Sequence, residues 1–353
     1  MDKIKYTLLF FLIGLTNAYC KTYGGIEIGS KGVKISIIEV DNIKKSAYEI
    51  KQFWTENVGI ARGISIDGNL IQADIDNAGQ AVLRNYLKLL NEYKIEDAKI
   101  FIVASSGVGL AKNTSLLVKL IKDLTNKNME VISSQLEAKL SFKGCIPPKF
   151  YDKALLIDIG GGNTKGGYVD VINDENTVFF PVNLDLGTIT LTEKIKKKIT
   201  SEKITDFTNE SILYSASLKT EVFEMLNKRA KTFDKSNIYT SGGAVWAFYT
   251  LSNLGEASEN FNAYSIDEVL EYDQILKYNF DKFQIIAKSD KEVERVLNTY
   301  SQKHLISANN ILISCLQNLD IKNDKKIYFV KNGQIAWLLS YIADSAKGAK
   351  VIY

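Results

Sequence analysis

Three prolines in 353 residues, and no low-complexity tract, leave no place for a disordered linker, so the chain reads as packed domains. Cysteine is equally scarce: Cys20, Cys145 and Cys315 are odd in number and far apart. That spacing excludes a disulfide framework and a cysteine metal site, and it leaves two buried structural cysteines or a single bridge. Neither sign of charge is in excess, with 44 basic residues against 41 acidic ones and a net of +3. Nucleic-acid binders carry a far more lopsided balance, so no nucleic acid is expected as a partner. No apolar run is long enough to span a bilayer as an ordinary helix.

Hydrophobic residues make up 46% of the chain, ample for two cores at this length. The N-terminus differs in kind. Lys3 and Lys5 precede the apolar run YTLLFFLIGL, followed by the small residues Thr16 and Ala18. This is the order of a secretory signal peptide, expected over residues 1–18 with cleavage after Ala18. Export to a periplasmic or extracellular space follows as the expectation. A membrane enters only if the leader stays uncleaved or Cys20 carries a lipid, and the bulky Tyr19 makes a poor lipid-attachment signal.

Ile26 and Ile28, then Val33, Ile35 and Ile37, alternate with polar or small residues on either side of Gly29-Ser30-Lys31-Gly32, the pattern of two strands and a tight turn. A helix face of period 3.6 runs over Gln80 to Tyr93, a strand begins at Lys99, a second amphipathic helix covers Leu116 to Leu124, and a strand follows at Met129. Strands and helices in this order suggest an α/β domain. The pattern then restarts. Leu155 to Asp170 reads LLIDIGGGNTKGGYVD, an apolar strand ending in an acid, then a turn without side chains. Lys34 follows Glu27 by seven residues as Lys165 follows Asp158, and acid-Ile-Gly-small-x-x-x-Lys at the head of each half points to a duplication. Ser241-Gly242-Gly243 opens a third site, with Trp246, Phe248 and Tyr249 at helical spacing behind it. A glycine pair at a helix start can present backbone donors to an anion, although a tightly packed turn reads the same way. The run Lys194, Lys196, Lys197 and Lys198, opposite Leu191, Ile195 and Ile199, reads as a solvated helix face, with a polyanion track as its alternative.

These segments together resemble the actin-like ATPase superfamily, and their order resembles the exopolyphosphatase and guanosine pentaphosphate phosphohydrolase family within it. GIEIGSKGVKISIIEV sits where that family has its first phosphate motif, and LLIDIGGGNTKGGYV is similar to the second. NVGIARGISIDGNL resembles the loop with a basic residue, TSGGAVWAF the later glycine motif, and YFVKNGQIAWLL the C-terminal strand-turn-helix. MEVISSQLEAKLSFKG resembles the stretch that carries the catalytic glutamate, which the resemblance places at Glu137. The implied fold is α/β: two duplicated actin-like (ribonuclease H-like) domains, residues 22–141 and 142–353, with a cleft between them and the last helix packing back on the first domain.

The implied activity is metal-dependent hydrolysis of a phosphoanhydride, which needs donors for phosphate oxygens, a cation and a base to orient water. Gly29, Ser30, Lys31, Gly160, Gly161, Gly162, Asn163, Thr164, Gly242 and Gly243 are the candidate phosphate ligands. Glu27 and Asp158 are the candidate holders of Mg²⁺, and Glu137 is the candidate base. Polyphosphate or a nucleotide is the expected substrate, and a homodimer is left open.

Four departures qualify the resemblance. Glu27 stands where the family has aspartate, and Asn163 and Lys165 where serine and glutamate are usual. Gly109 occupies the place of a phosphate-contacting arginine, and Ala336, Trp337 and Leu338 replace Arg-Glu-Gly. Lys31, Lys34, Arg62, Lys112 and Lys165 are candidate substitutes for the missing arginine. ASSGVGL also resembles the extracellular apyrases' Ala-Thr-Ala-Gly-Met-Arg-Leu motif, again with glycine for arginine. The alternatives are therefore an apyrase-like triphosphatase, a catalytically degenerate binding or structural protein of the same fold, and, more remotely, a sugar-kinase-type transferase.

Overall fold

A computed structural model describes residues 21–42, 47–173, 176–254, 257, 259–321 and 324–346. The expected signal peptide and Cys20 lie outside the described residues. Among the described residues, eleven strands form two sheets. The first holds β1 (Lys21–Ile28), β2 (Gly32–Asn42), β3 (Ala47–Asn57), β4 (Ile100–Ala104) and β5 (Glu130–Val131), in the order β3-β2-β1-β4-β5. The second holds β6 (Ala154–Ile159), β7 (Thr164–Asn173), β8 (Asn176–Leu184), β9 (Asn237–Ser241), β10 (Phe261–Tyr264) and β11 (Lys326–Val330), in the order β8-β7-β6-β9-β11-β10. Apart from β10, the two orders are the same. In each sheet the first three strands are antiparallel neighbours and the next two join in parallel. The duplication inferred from two short motifs is thus a duplication of whole sheets.

β6 shows why these strands form: all six of its residues are buried, so ALLIDI is a central strand with helices on both faces. β3 escaped the sequence reading. Its register against β2 breaks between Ile37 and Ile38, which spoils strict alternation, and the strand lies at the sheet edge, carrying the exposed Lys51. The helix expected from Gln80 spans Gln72–Asn91 instead, because its first two turns carry the buried Ile75 and Ala78 among polar residues.

The expected boundary between residues 141 and 142 falls inside the helix Ser134–Cys145. This helix follows the last strand of the first sheet, yet Phe142 and Cys145 pack on Leu156, Val169 and Tyr239 of the second. The helix Gly333–Ala346, which follows β11, makes the reciprocal move. Its Leu338, Leu339 and Ile342 cover Tyr23, Ile38 and Val103 of the first sheet. The two helices also pack against each other, so each lobe is completed by the other's helix. Among the described residues Cys145 and Cys315 are free buried thiols, and no described helix is long and apolar enough to cross a membrane. In the lysine run, Leu191 and Ile195 are fully buried while Lys194 and Lys198 reach Glu221 and Glu210, a solvated face with local ion pairs.

Candidate active site

The two hairpin turns face each other across a cleft of about 380 Å³. Both are built alike. In the first, Gly29 and Gly32 bond each other, the Ser30 carbonyl accepts from Ala61 N, and the Lys31 carbonyl accepts from Val58 N and Gly59 N. In the second, Gly160 N donates to the Asn163 carbonyl, while the carbonyls of Gly160 and Gly161 accept from Thr188 N and Ile189 N, and that of Gly162 from Thr190 Oγ1. With the carbonyls drawn back, the N–H groups of Ser30, Lys31, Gly161, Gly162 and Asn163, all residues of the cleft lining, take no part in these bonds, an arrangement suited to anions.

A third loop completes the floor. Ser105 and Gly107, at the end of β4, line the same space. The approach is close enough that a Cβ on Gly162 would lie 2.9 Å from Gly107 Cα, Gly107 O and Ser30 Oγ. Gly162→Ala is therefore expected to wedge the lobes apart, costing about 1–3 kcal/mol of stability and weakening phosphate binding. Thermal unfolding and calorimetry with inorganic phosphate check both effects. Gly242 and Gly243 also line the cleft, at the N-terminus of the helix Gly243–Asn253. Gly242 has φ of 95°, and a Cβ there would meet Asp158 Oδ1 at 2.6 Å, so this glycine is needed for the backbone and the carboxylate together.

The acids and lysines of the duplicated motif prove to be direct cross-strand neighbours: Glu27 pairs with Lys34 in the β1–β2 register and Asp158 with Lys165 in the β6–β7 register. Lys34 Nζ lies 3.0 Å from Glu27 Oε1 and also donates to the Gln334 carbonyl. Lys165 Nζ lies 3.0 Å from Asp158 Oδ2 and 2.9 Å from Glu137 Oε1. Glu137 is held at its other oxygen too, where Oε2 accepts from Ser106 N at 2.7 Å. The helix cap that places it is Ser133, whose side chain accepts from Leu136 N.

Glu27 is different. Its Oε2 is buried without a hydrogen-bond partner, and burial pushes its pKa above the ordinary carboxylate value; Lys34 opposes this and Glu137 adds to it. Glu27 therefore keeps one carboxylate oxygen without a partner among the described residues, and burial inclines it towards the protonated form. Mg²⁺ fits the floor poorly. Glu27 and Asp158, the expected ligands, each give one oxygen to a lysine, and an ammonium already lies between Asp158 and Glu137. Among the described residues no cluster of three or more His, Cys, Asp or Glu is arranged to hold a metal.

Two expected phosphate ligands have other duties. Thr164 is fully buried and its hydroxyl donates to the Leu186 carbonyl at 2.8 Å, away from the cleft. The Asn163 amide lines the cleft but donates to Ser106 Oγ and Ser134 Oγ, tying the second turn to the first lobe. Gly109, in the place of the missing arginine, is exposed and outside the cleft lining. Of the candidate substitutes, Arg62 is paired with Asp74, and Lys112 Nζ donates to the Asp67 carbonyl. Lys31 lines the cleft with no ion pair among the described residues, its Nζ 5.5 Å from the Tyr300 ring centroid. Burial lowers its pKa, and the neighbouring cations Arg62 and Lys196 lower it further, a strain that an arriving anion would relieve.

Trp54, Trp246, Arg295, Tyr300 and Trp337 also line the cleft, and sequence reasoning assigns none of them to the site. In the sequence Trp337 stands only as a departure from the C-terminal motif and Trp246 only as part of a helix face, and Trp54 lies on β3, whose alternation is broken. His304, the chain's one histidine, bonds Ser301 Oγ at a helix N-cap. Burial first, then Lys31 and Lys196, push its pKa down to about 3, so it stays neutral at working pH. His304→Asn is expected to leave the acid limb of any pH–rate profile where it was.

A sequence model described as the Ppx/GppA phosphatase family matches residues 42–325. The chain is 23% identical over 279 residues to a bifunctional 3-dehydroquinate synthase/phosphatase of Fusobacterium nucleatum, covering 78% of this chain and 38% of that protein. It is 24% identical over 173 residues to a guanosine-5'-triphosphate,3'-diphosphate pyrophosphatase of Pseudoalteromonas atlantica, covering 49% of this chain and 32% of that one. The chain thus spans only about a third of the length of these curated relatives. Among solved structures, the fold is similar to a Ppx/GppA family member of Aquifex aeolicus (TM-score 0.63, 19% identity, 92% of this chain and 98% of that chain). It is also similar to an exopolyphosphatase of Cytophaga hutchinsonii (TM-score 0.70, 15% identity, 92% and 98%).

Proposed function

The chain belongs to the Ppx/GppA phosphatase family, and on that premise we propose that it hydrolyses a phosphoanhydride, in polyphosphate or a nucleotide, within the cleft between the lobes. The observation that carries this reading is the pair of backbone turns facing one another, with Lys31, which has no ion pair among the described residues, beside them and the unpartnered oxygen of Glu27 on the floor. The terminal phosphate lies against the turn N–H groups and Lys31. A water molecule attacks its phosphorus and passes a proton to Glu27 Oε2. The new O–P bond forms as the bridging P–O bond breaks, and the leaving phosphate chain takes the electron pair. Glu137, expected as the base from the resemblance, acts here as a positioning residue, since both its oxygens are held by Lys165 and Ser106.

Mg²⁺ enters the proposal as the counter-ion that a polyanionic substrate brings with it. The leader-like residues Lys3 to Ala18 support an exported enzyme as part of the same reading. The test is phosphate release from polyphosphate, ATP and guanosine pentaphosphate by the purified chain. Turnover of at least one is expected, and turnover of none contradicts the reading. The grip of Lys165 on two carboxylates, together with Gly109 in place of an arginine, favours one other reading, a phosphate-binding protein without turnover. Phosphate binding without release would select it.

A further inference from the structure

The cleft floor carries three carboxylates, Glu27, Glu137 and Asp158, and all three are almost fully buried. Charges removed from water in this way persist only when compensated. Lys34 compensates Glu27 from the rim, its side chain 24% exposed. Lys165 is only 4% exposed and serves two acids at once. Its position is set by the backbone, because β7 places it directly opposite Asp158 on β6, and its ammonium lies beneath the glycine turn, within 3.4 Å of where a Cβ of Gly160 would be.

From this geometry we infer that Lys165, paired with both Glu137 and Asp158, is the resident cation of the phosphate site, so that the cleft accepts phosphate without a metal held by the protein. The inference rests on the phosphate-site reading above. Three facts support it. The ammonium contacts one oxygen of each acid at 2.9 and 3.0 Å, and a second cation bound to the same oxygens would be repelled at contact distance. The remaining Glu137 oxygen is committed to Ser106 N, so the acid cannot turn to a metal without giving up a buried backbone donor. Charge also balances without a metal: Lys34 and Lys165 pair with all three carboxylates, and a third ammonium, Lys31, lines the same cleft before any anion arrives. A fixed ammonium differs from a metal in its consequence, because it cannot be chelated away.

The direct test adds Mn²⁺, a paramagnetic probe, to the purified full chain and follows the electron-spin-resonance signal of the free ion. The wild type is expected to leave that signal at its protein-free size, whereas Lys165→Gln, with two carboxylates uncovered, is expected to deplete it stoichiometrically. Depletion by the wild type overturns the assignment, as does a folded Lys165→Gln variant that takes up no Mn²⁺. A second arm measures binding of inorganic phosphate calorimetrically in chelator and in Mg²⁺. Equal affinity in the two solutions is expected, and binding that requires Mg²⁺ overturns the assignment. If phosphate binds in neither, the phosphate-site reading fails, and the Mn²⁺ arm still decides the role of Lys165. Should Lys165→Gln not fold, the wild-type arms decide alone.

Discussion

Glu27→Gln is expected to reduce phosphate release by about 10²–10⁴-fold, the range that a positioned general base contributes. Phosphate binding is expected to survive, because the turn N–H groups and Lys31 are untouched. Stability gives an independent reading of the same substitution. Burial raises the pKa of Glu27, so the folded state favours the protonated form. A group raised in this way stabilises the fold below its unfolded pKa and loses that contribution as pH rises through its folded pKa. Ionised Glu27 is therefore a cost above that point, and the neutral amide is expected to be at least as stable as the parent at neutral pH. Thermal unfolding and a phosphate-release assay on one preparation check both halves. A variant that is inactive and also less stable would assign Glu27 a structural role instead. The acid limb of the wild-type rate profile should lie above the ordinary carboxylate value and vanish in the variant.

Lys165→Met is expected to destabilise the protein by about 3–5 kcal/mol, the cost of stripping the partner from a buried charge. Two acids lose their ammonium at once, and both are almost fully buried. Burial alone would lower the pKa of Lys165, but Asp158 and Glu137 more than reverse this and raise it. Its contribution is thus complete at neutral pH and is lost only in strong alkali, as pH rises through the folded pKa. Lys34→Met provides the contrast. It is expected to cost less, since Glu27 is already inclined to take up a proton and Lys34 is partly solvated. Urea unfolding of the three proteins at neutral pH measures the difference. Equal losses would show that Lys165 is not the more deeply committed cation.

Much of this was legible in the sequence because backbone turns and buried strands leave local marks. The glycine turns, the strands that carry them and the repeat of acid and lysine all lie in short windows, and the sheets place them in matching positions. The seven-residue spacing held more information than it first yielded. Across a tight hairpin, residues so spaced face one another, so the acids expected to hold metal and the lysines considered for phosphate are each other's partners. The role of Glu137 was harder to read. That its second oxygen would be fixed by Ser106 N depends on a contact between segments 31 residues apart. The exchange of the helices Ser134–Cys145 and Gly333–Ala346 between lobes was likewise hidden, since an apolar helix face does not name the sheet it will cover. The aromatic wall of the cleft comes from both lobes and exists only once they meet.

In the proposed mechanism water, activated in this cleft, attacks a phosphoanhydride. Running the reaction in heavy-oxygen water and weighing the released phosphate by mass spectrometry tests it most directly. The expected result is a single labelled oxygen in each phosphate released by the wild type, with release largely lost in Glu27→Gln. Phosphate appearing on an acceptor other than water, or no release from any of the three substrates, would contradict it.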